Sequence, residues 1–281
     1  MRILHFDAGK EMRGGQWQVL RLIEGLAAAG VESTLLAREN APLFAEARKH
    51  GWRVQPLGIT RALANLSTHS VIHAHDARSH SLGAFLRGRP LVVSRRVSFP
   101  VGSRWKYGRA SRYLAVSEFV RGVLLQGGVP EEKIRVVPDG VPVMEVARGT
   151  EVLGLEKDSA LLARMGLRKV VNLEEELKDA AILVYVTNSE GLGSGALLAM
   201  SAGVPVIASK VGGLPEVIRH GENGLLVENR ESDIREAIAF LQSRPEEARA
   251  MGEAGRKTVL ERFTVKHMVD ATLRVYKEIL G

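Results

Sequence analysis

The chain has 281 residues, of which 45% are hydrophobic, so it is long enough to bury one large core or two ordinary ones. The absence of cysteine excludes disulfides, thiolate metal sites and a cysteine nucleophile. No apolar run reaches the roughly 20 residues that span a bilayer, and no signal-peptide pattern precedes the first strand, so we expect a cytoplasmic protein.

The net charge of +7 is distributed unevenly along the chain. Residues 1–140 contain 21 Lys and Arg against 11 Asp and Glu, whereas residues 141–281 contain 18 against 21. The basic first half indicates an anionic partner, such as a phospholipid surface, an anionic lipid or glycan acceptor, or nucleic acid. An arginine-rich solvated surface explains the same composition without any partner.

Short apolar strands alternate with helical patterns, which is typical of a doubly wound parallel sheet. In the first half, the predicted strands are Arg2–Phe6, Val31–Ala37, Trp52–Leu57, Val71–Ala74, Leu91–Ser94, Tyr113–Ser117 and Ile134–Val137, and the helices include Gln16–Ala29, Pro42–His50, Ser79–Leu86 and Glu118–Gln126. The Pro138-Asp-Gly-Val-Pro142 segment predicts a hinge between two domains.

After this hinge the pattern weakens before it becomes strong again. It supports one strand at Glu151–Leu155, a helix at Ser159–Met165 and a short strand at Lys169–Val171. A clear apolar strand, Ala181–Thr187, follows. The second half closes with the predicted helices Ser232–Leu241, Pro245–Glu261 and Val265–Leu280.

Two motifs follow strands of the first half. Gly14 and Gly15 open a helix, where free backbone amides suit a phosphate, although a tight strand-to-helix turn explains them equally well. His73 and His75 alternate onto one face of a strand, near the end at which open α/β sheets bind ligands. No further spaced cluster supports a metal ion here, so we predict no metal site. A hydrogen-bonded structural role is the alternative for the histidines.

The stretch from Arg95 to Tyr113 interleaves basic and aromatic side chains. This composition is found at membrane interfaces and where aromatic rings stack on nucleic-acid bases, and also in ordinary amphipathic helices with buried rings. As candidates for an anionic or acceptor-binding surface we take Arg95, Arg96, Arg104, Trp105 and Lys106.

The most informative stretch runs from Glu190 to Gly224. The strand Ala181–Thr187 leads into a glycine-rich turn with Glu190 at its start, and a helix follows. A second apolar strand then leads into a second glycine turn, Gly212-Gly213, which opens another helix. Glycine lets backbone amides approach a ligand closely, and helix N-termini favour negative charge. Two such turns suit a phosphate-bearing sugar donor.

This block resembles the donor-binding core of the family 4 glycosyltransferases, which have the GT-B fold. Ile134–Val141 is similar to the family's domain junction, with Asp139 in place of Asn, and Gly221-Glu-Asn-Gly224 is similar to its G-x-N-G turn. The resemblance covers about residues 1–141 and 172–281 and implies an α/β, GT-B-like fold. Two Rossmann-type, doubly wound domains would face a cleft: an acceptor-side domain at 1–141, with terminal helix 265–281 packing back on it, and a reduced donor-binding domain at 142–264.

The resemblance also implies roles for single residues. His75 would lie beside the reacting carbon and Glu190 would contact the sugar hydroxyls, as the catalytic pair. The donor contacts would come from Gly14, Gly15, Gly191, Leu192, Gly193, Ser194, Gly212, Gly213 and Glu216. The family's chemistry retains the anomeric configuration and uses no metal and no cofactor besides the nucleotide-sugar substrate, whose nucleotide stays open.

Two positions depart from the family pattern. Leu198 stands where the family has a second Glu that accepts hydrogen bonds from the donor ribose, and leucine cannot accept them. Only about 30 residues separate Pro142 from Asn172, and the family's Arg and Lys segment for the donor diphosphate is not among them. The missing units would remove strands from the middle of the second sheet.

We therefore predict a bacterial-type glycosyltransferase that moves a sugar from a nucleotide-sugar donor to an acceptor hydroxyl in glycolipid, polysaccharide or cell-envelope synthesis. Its location would be the cytoplasm, with peripheral contact to the inner face of the membrane through the basic first domain. A non-catalytic relative that binds a sugar, nucleotide or glycolipid is the alternative, and another nucleotide- or nucleic-acid-binding α/β module is a third. We expect no nucleic-acid partner, and the oligomeric state stays open.

Overall fold

The computed structural model describes residues 1–157 and 160–281. The chain divides into two compact units, which we call unit 1 (Met1–Pro138 with Val265–Gly281) and unit 2 (Asp139–Thr264). The division falls three residues before the predicted boundary at 141. The predicted start of a helix at Ser159 lies outside the described residues.

Unit 1 is built on a parallel sheet of seven strands in the order β3-β2-β1-β4-β5-β6-β7. The strands are β1 (Arg2–Asp7), β2 (Glu32–Ala37), β3 (Val54–Pro56), β4 (Val71–Ala74), β5 (Leu91–Arg95), β6 (Arg112–Ala115) and β7 (Ile134–Val136). The helices between them are α1 (Gly14–Ala28), α2 (Pro42–Lys49), α3 (Ile59–Leu66), α4 (Ala77–Phe85), α5 (Arg104–Gly108) and α6 (Glu118–Gln126). Every strand pair is parallel because a helical segment or loop returns the chain between strands.

Unit 2 contains a smaller parallel sheet of five strands in the order β12-β11-β10-β8-β9. Its strands are β8 (Glu151–Glu156), β9 (Arg168–Lys169), β10 (Ala180–Val186), β11 (Val206–Ser209) and β12 (Leu225–Val227). Its helices are α7 (Leu161–Arg164), α8 (Leu173–Glu176), α9 (Ser194–Ser201), α10 (Leu214–Val217), α11 (Glu231–Ser243) and α12 (Pro245–Arg262).

The terminal helix α13 (Val265–Leu280) packs in unit 1 against α1. A Cβ atom on Gly25 would lie 2.4 Å from Cγ2 of Val269, so glycine at this position of α1 allows the two helices to approach closely. Met268, Val269 and Tyr276 join the buried core beneath the helix. This contact lets α13 cover one face of the first sheet.

Each sheet has one point at which the strand order reverses. In unit 1 the chain runs outward from β1 to β3 and then returns to β4 on the other side of β1. In unit 2 it runs from β8 to β9 and then returns to β10 on the other side of β8. Open α/β sheets bind ligands at the carboxyl ends of the two strands that flank such a reversal. The relevant pairs are β1 with β4, and β8 with β10.

The prediction of a GT-B-like α/β fold with two Rossmann-type sheets and a reduced second one is confirmed. The weakly patterned segment after the hinge forms β8, α7 and β9, close to the predicted positions. Helices α3 and α5 and the edge strand β12 lie in short stretches for which the sequence pattern set no bounds. Within the described residues, no helix is both long and apolar enough to cross a membrane.

Candidate functional site

At the strand reversal of unit 1, two aspartates tie the loops after β1 and β4 together. Asp7 ends β1, and its Oδ1 accepts hydrogen bonds from the backbone N of Gly9 at 2.8 Å and from Nε2 of Gln16 at 3.2 Å. Asp76 follows β4, caps α4 by accepting from N of Arg78 at 2.8 Å, and accepts from N of Ala8 at 2.6 Å. These two carboxylates thus connect the ends of β1 and β4 to the first turns of α1 and α4 and hold this edge of the sheet in shape.

Asp7 is a titratable group that sequence reasoning missed. Its side chain is buried, and burial, with the nearby charge of Asp76, raises its pKa to about 6. A carboxyl with a raised pKa at a ligand-binding edge is typical of functional sites, although structural networks shift pKa values as well. The only sequence signal was its place at the end of β1, directly before a glycine turn.

Three buried histidines lie side by side on one face of the first sheet. His73 on β4 pairs in register with His5 on β1, and His75 follows β4 on the same face as His73. Nδ1 of His5 lies 3.0 Å from Nε2 of His75, whereas the nitrogens of His73 lie 2.5 Å from the hydroxyl of Tyr276 and 2.8 Å from Oγ of Ser94. The predicted common face of His73 and His75 therefore exists, and His5 is the third member that the sequence did not indicate.

The electrostatics of this cluster favour neutral imidazoles. Burial lowers the pKa of His5 to about 3, and the pKa values of His73 and His75 are also lowered, first by burial and then by neighbouring histidines. Nitrogen atoms of the three rings lie within 4.8 Å of one another, a spacing that a metal ion could bridge. However, both nitrogens of His73 and of His5 already have hydrogen-bond partners. The hydrogen bonds form two separate groups, one joining His75, His5 and Ser33 and the other joining Tyr276, His73 and Ser94. The absence of a metal stays a prediction.

His75 differs from its two neighbours in one respect. Among the described residues its Nδ1 has no hydrogen-bond partner, although the side chain is only 6% exposed. A buried polar atom without a partner costs free energy, which a ligand group at the end of β4 could recover. This supports the predicted place of His75 in a site, while its catalytic role remains a prediction.

The first-half glycine turn opens α1 as predicted. A Cβ atom on Gly15 would meet nothing within 4 Å, and its backbone does not adopt a positive φ. Neither packing nor backbone conformation therefore explains a glycine at this position. Close approach of a ligand to the first turn of α1 would explain it.

The basic and aromatic stretch separates into a buried and an exposed part. Arg95 is only 8% exposed, donates to the backbone O of Phe99 and lies 5.8 Å from the ring centre of Tyr107. Arg95 is therefore buried, because it lies at the end of the buried strand β5, and its predicted contact with an anionic acceptor stays a prediction. Lys106 is half-buried and donates to O of Ala77 at 3.3 Å, and Arg96 is also half-buried.

The exposed part forms a surface that we call the aromatic–basic patch: Phe85, Arg104, Trp105 and Arg109. The rings of Phe85 and Trp105 lie 4.8 Å apart, and the guanidinium of Arg109 lies 5.3 Å from the ring centre of Trp105. Phe85 is 69% exposed and Trp105 is 46% exposed. Large exposed rings beside cations mark a surface suited to an amphipathic partner.

In unit 2, Glu190 lies at the carboxyl ends of β8 and β10. Its Oε2 accepts a hydrogen bond from Nζ of Lys157 at 2.7 Å and another from the hydroxyl of Tyr185. Its Oε1 accepts from the backbone N of Gly191 at 2.9 Å. The carboxylate is thus held at the strand reversal, at the position where the sequence predicted the mouth of a donor site. Lys157 and Tyr185 are contacts that sequence reasoning did not assign.

The two predicted glycine turns pack directly against each other. Gly193 adopts a φ of 105° before α9, a conformation that favours glycine. A Cβ atom on Gly212 would lie 1.9 Å from the backbone O of Glu190, and one on Gly213 would lie 2.1 Å from that of Gly191. Close contact between the turns therefore requires these glycines, whether or not a donor binds there. Leu192 is buried, and Ser194 and Glu216 are half-buried in the helices that the turns open.

Asn223 and Leu198, two further residues of the Glu190–Gly224 stretch, are buried and have structural roles. Asn223 of the GENG turn is buried, accepts from N of Arg219 at 2.6 Å and donates to Oγ1 of Thr258 at 3.1 Å, which fastens the turn to α12. Leu198 is 4% exposed and belongs to the core beneath α9. It offers no polar group to a ribose, as the sequence indicated.

The fold and these turns define a GT-B-like α/β protein with glycine-rich helix N-termini at the strand reversals. The family model described as Glycosyltransferase Family 4 matches residues 12–145, and the one described as Glycosyl transferases group 1 matches residues 164–258. Each half of the chain thus matches a glycosyltransferase family model, which confirms the resemblance seen in the sequence.

Curated relatives are similar over part of the chain. An alpha-maltose-1-phosphate synthase of Mycolicibacterium smegmatis is 37% identical over 114 residues, which are 38% of this chain and 30% of the relative. An N-acetyl-alpha-D-glucosaminyl L-malate synthase of Bacillus anthracis is 32% identical over 152 residues, which are 53% of this chain and 38% of the relative. The chain thus spans about a third of the length of these relatives.

Solved structures are similar over nearly the whole chain. HepE of Anabaena, solved in complex with UDP and glucose, has a TM-score of 0.84 at 15% identity, with 99% of both chains covered. Sucrose-phosphate synthase of Thermosynechococcus elongatus has a TM-score of 0.80 at 17% identity, with 99% of this chain and 98% of that chain covered. At these identities the likeness concerns the fold.

Proposed function

We propose that the protein is a glycosyltransferase that moves a sugar from a nucleotide-sugar donor to an acceptor hydroxyl. The observation that carries the proposal is the position of Glu190, held between two glycine-rich turns at the strand reversal of unit 2. Backbone amides of the turn and of the N-terminus of α9 suit the donor phosphates. By the family's chemistry, Glu190 would bind the sugar hydroxyls, and the reaction would retain the anomeric configuration without a metal.

Calorimetric titration of the full chain with UDP, GDP, ADP and their common sugar conjugates tests this proposal. We expect saturable binding of one nucleotide series, with a further gain in affinity from the sugar. Titration with the matching nucleoside alone is the control, because it should bind more weakly without phosphates to meet the amides. No binding across the panel, by a protein whose circular dichroism spectrum is that of a folded α/β protein, would contradict the proposal.

A non-catalytic relative that binds a sugar, nucleotide or glycolipid is a second candidate function, and one observation favours it. Leu198 is buried and apolar where the family has a ribose-binding glutamate. Saturable binding of a nucleotide sugar without release of nucleoside diphosphate, across a panel of lipid and glycan acceptors, would favour this candidate.

For the acceptor side, we propose that unit 1 contacts an anionic lipid surface through the aromatic–basic patch. The exposed Phe85 and Trp105 rings can enter the interfacial region of a bilayer, while Arg104 and Arg109 remain at the level of the lipid phosphates. The positive excess in residues 1–140 acts in the same direction. Such contact would place the protein at the inner face of a membrane as a peripheral protein, with a lipid-linked acceptor within reach.

Neutralisation of two arginines should weaken vesicle binding. We expect Arg104→Gln with Arg109→Gln to lower the affinity for vesicles of phosphatidylglycerol and phosphatidylcholine by about tenfold or more, since each cation near an anionic surface contributes on the order of 1 kcal/mol. Cosedimentation measures this, with exposed Arg48→Gln and Arg61→Gln as the matched control. Equal affinity of the two double variants would contradict a role for the patch.

A further inference from the structure

The loop after β8 places a cation at the strand reversal of unit 2. Lys157 directly follows β8, which pairs with β10, and its Nζ lies 2.7 Å from Oε2 of Glu190. The ammonium also lies 5.6 Å from the ring centre of Tyr185. The Lys157 side chain is 50% exposed, whereas that of Glu190 is 11% exposed. The solvent-accessible ammonium of Lys157 thus forms an ion pair with the largely buried carboxylate of Glu190.

Other cations of this part of the chain lie elsewhere. Arg168, on the edge strand β9, forms ion pairs with Glu151 and Glu176. Lys178 precedes β10 and therefore lies near the opposite edge of the sheet. Among the cations in residues 142–157 and 160–180, Lys157 is the one that forms an ion pair with Glu190.

We propose that Lys157 binds the diphosphate of the donor, and that Glu190 holds the ammonium at the site until the donor arrives. This inference rests on the proposed function, because it names the cation of the same site. A leaving diphosphate needs a positive partner, and the family's usual Arg and Lys segment does not occur in this sequence. Lys157 supplies that charge from the loop after β8, at the carboxyl ends of the strands, where a parallel sheet binds its ligands.

A donor diphosphate can replace the Glu190 carboxylate as the partner of the Lys157 ammonium. Water screens the half-exposed ammonium of Lys157, which weakens its ion pair with Glu190, and the lysine stem has four carbons with freely rotating bonds. A diphosphate carries more negative charge and more acceptor oxygens than one carboxylate, so it competes well for the ammonium. After this exchange, Oε2 of Glu190 keeps the Tyr185 hydroxyl and becomes able to accept a hydrogen bond from a sugar hydroxyl.

The alternative is that Lys157 only orients the Glu190 side chain. The two roles predict different behaviour toward an anion without sugar or nucleoside. If Lys157 only orients Glu190, its replacement does not change pyrophosphate binding. If Lys157 binds diphosphate, its replacement weakens pyrophosphate binding, and the carboxylate of Glu190 competes with pyrophosphate for the same ammonium.

The experiment is calorimetric titration of the full chain with inorganic pyrophosphate. We expect Lys157→Gln to weaken binding by about tenfold to a hundredfold, as for the loss of a charged hydrogen bond. Glu190→Gln should strengthen binding, because the competing charge is gone. Lys178→Gln, which makes the same change in net charge near the opposite edge of the sheet, should leave the affinity unchanged.

The outcomes separate this inference from the proposed function. No pyrophosphate binding by the wild-type chain, or equal affinity of wild type, Lys157→Gln and Glu190→Gln, overturns the role of Lys157 even if nucleotide sugars bind and turn over. Loss in Lys157→Gln together with a gain in Glu190→Gln supports it, even if no nucleotide sugar binds. Lys157→Arg keeps the charge and should retain most of the affinity, which guards against a Lys157→Gln variant that fails to fold.

Discussion

Replacement of Glu190 with glutamine is expected to lower the rate of sugar transfer by about 100-fold or more, as for the loss of one strong polar contact in a transition state. Glutamine keeps the size of the side chain and an oxygen that can accept from the Tyr185 hydroxyl, so the fold should persist. The lost charge weakens the hydrogen bonds to the sugar hydroxyls. The measurement is release of nucleoside diphosphate from whichever nucleotide sugar binds in the calorimetric panel.

Two comparisons sharpen this prediction. Binding of the free nucleoside diphosphate by Glu190→Gln should be at least as strong as that by the wild type, because Glu190 is proposed to contact the sugar. Exposed Glu175, in α8 of the same unit, provides the matched control as Glu175→Gln, which should turn over at the wild-type rate. Wild-type turnover by Glu190→Gln would show that this carboxylate does not take part in the reaction.

The second large effect is loss of stability in unit 1 on acidification. Burial lowers the pKa of His5 to about 3 and lowers the pKa values of His73 and His75 as well. In the unfolded chain these groups titrate near 6.5, so below that pH the unfolded state binds protons that the folded state cannot accept. The free energy of unfolding is therefore highest above pH 6.5 and falls as the pH decreases.

The size of the effect follows from the three buried histidines and one opposing group, Asp7. At pH 5, His5 alone lowers the free energy of unfolding by about 2 kcal/mol relative to pH 7, and His73 and His75 act in the same direction. Asp7 acts oppositely, since its pKa is raised to about 6 from 3.8 and its protonation on acidification recovers about 1 kcal/mol. We expect a net loss of about 2 kcal/mol or more between pH 7 and pH 5.

Urea titration followed by tryptophan fluorescence measures this loss selectively. The three tryptophans, Trp17, Trp52 and Trp105, all lie in unit 1. His5→Phe removes one titrating group from the buried cluster and should reduce the pH dependence, whereas His267→Gln, on the exposed side of α13, should not. Equal urea midpoints at pH 7 and pH 5 for the wild type would contradict the prediction.

Much of the fold could be predicted because its signals are local. The strands of unit 1 are short apolar runs, and glycine ends the pattern of α1 at Gly30, so the alternation was readable without partners. Edge strand β12 and the short helix α5 were not given bounds, since three to five residues carry too little periodicity. The burial of Arg95 was not predicted, because the apolar pattern ends the predicted strand at Ser94, whereas β5 continues to Arg95.

The parts of the site that were missed depend on strand register. His5 meets His73 and His75 only because β1 pairs with β4, although about 70 residues separate them in the chain. Lys157 meets Glu190 only because β8 pairs directly with β10. Both pairings cross a reversal in strand order, and no local pattern encodes which strands become neighbours there.

The sequence by itself determined the family resemblance, the two parallel sheets and the positions of Glu190, His75 and the glycine turns, because these depend on short-range patterns and spacing. Only the tertiary structure decided which of these residues touch. In the tertiary structure, Gly212 and Gly213 pack against the turn that begins at Glu190, whereas a Cβ atom on Gly15 would meet nothing within 4 Å. Lys157 forms an ion pair with Glu190. The physical reason is that backbone conformation is largely local, whereas contacts between loops are set by how a whole sheet is assembled.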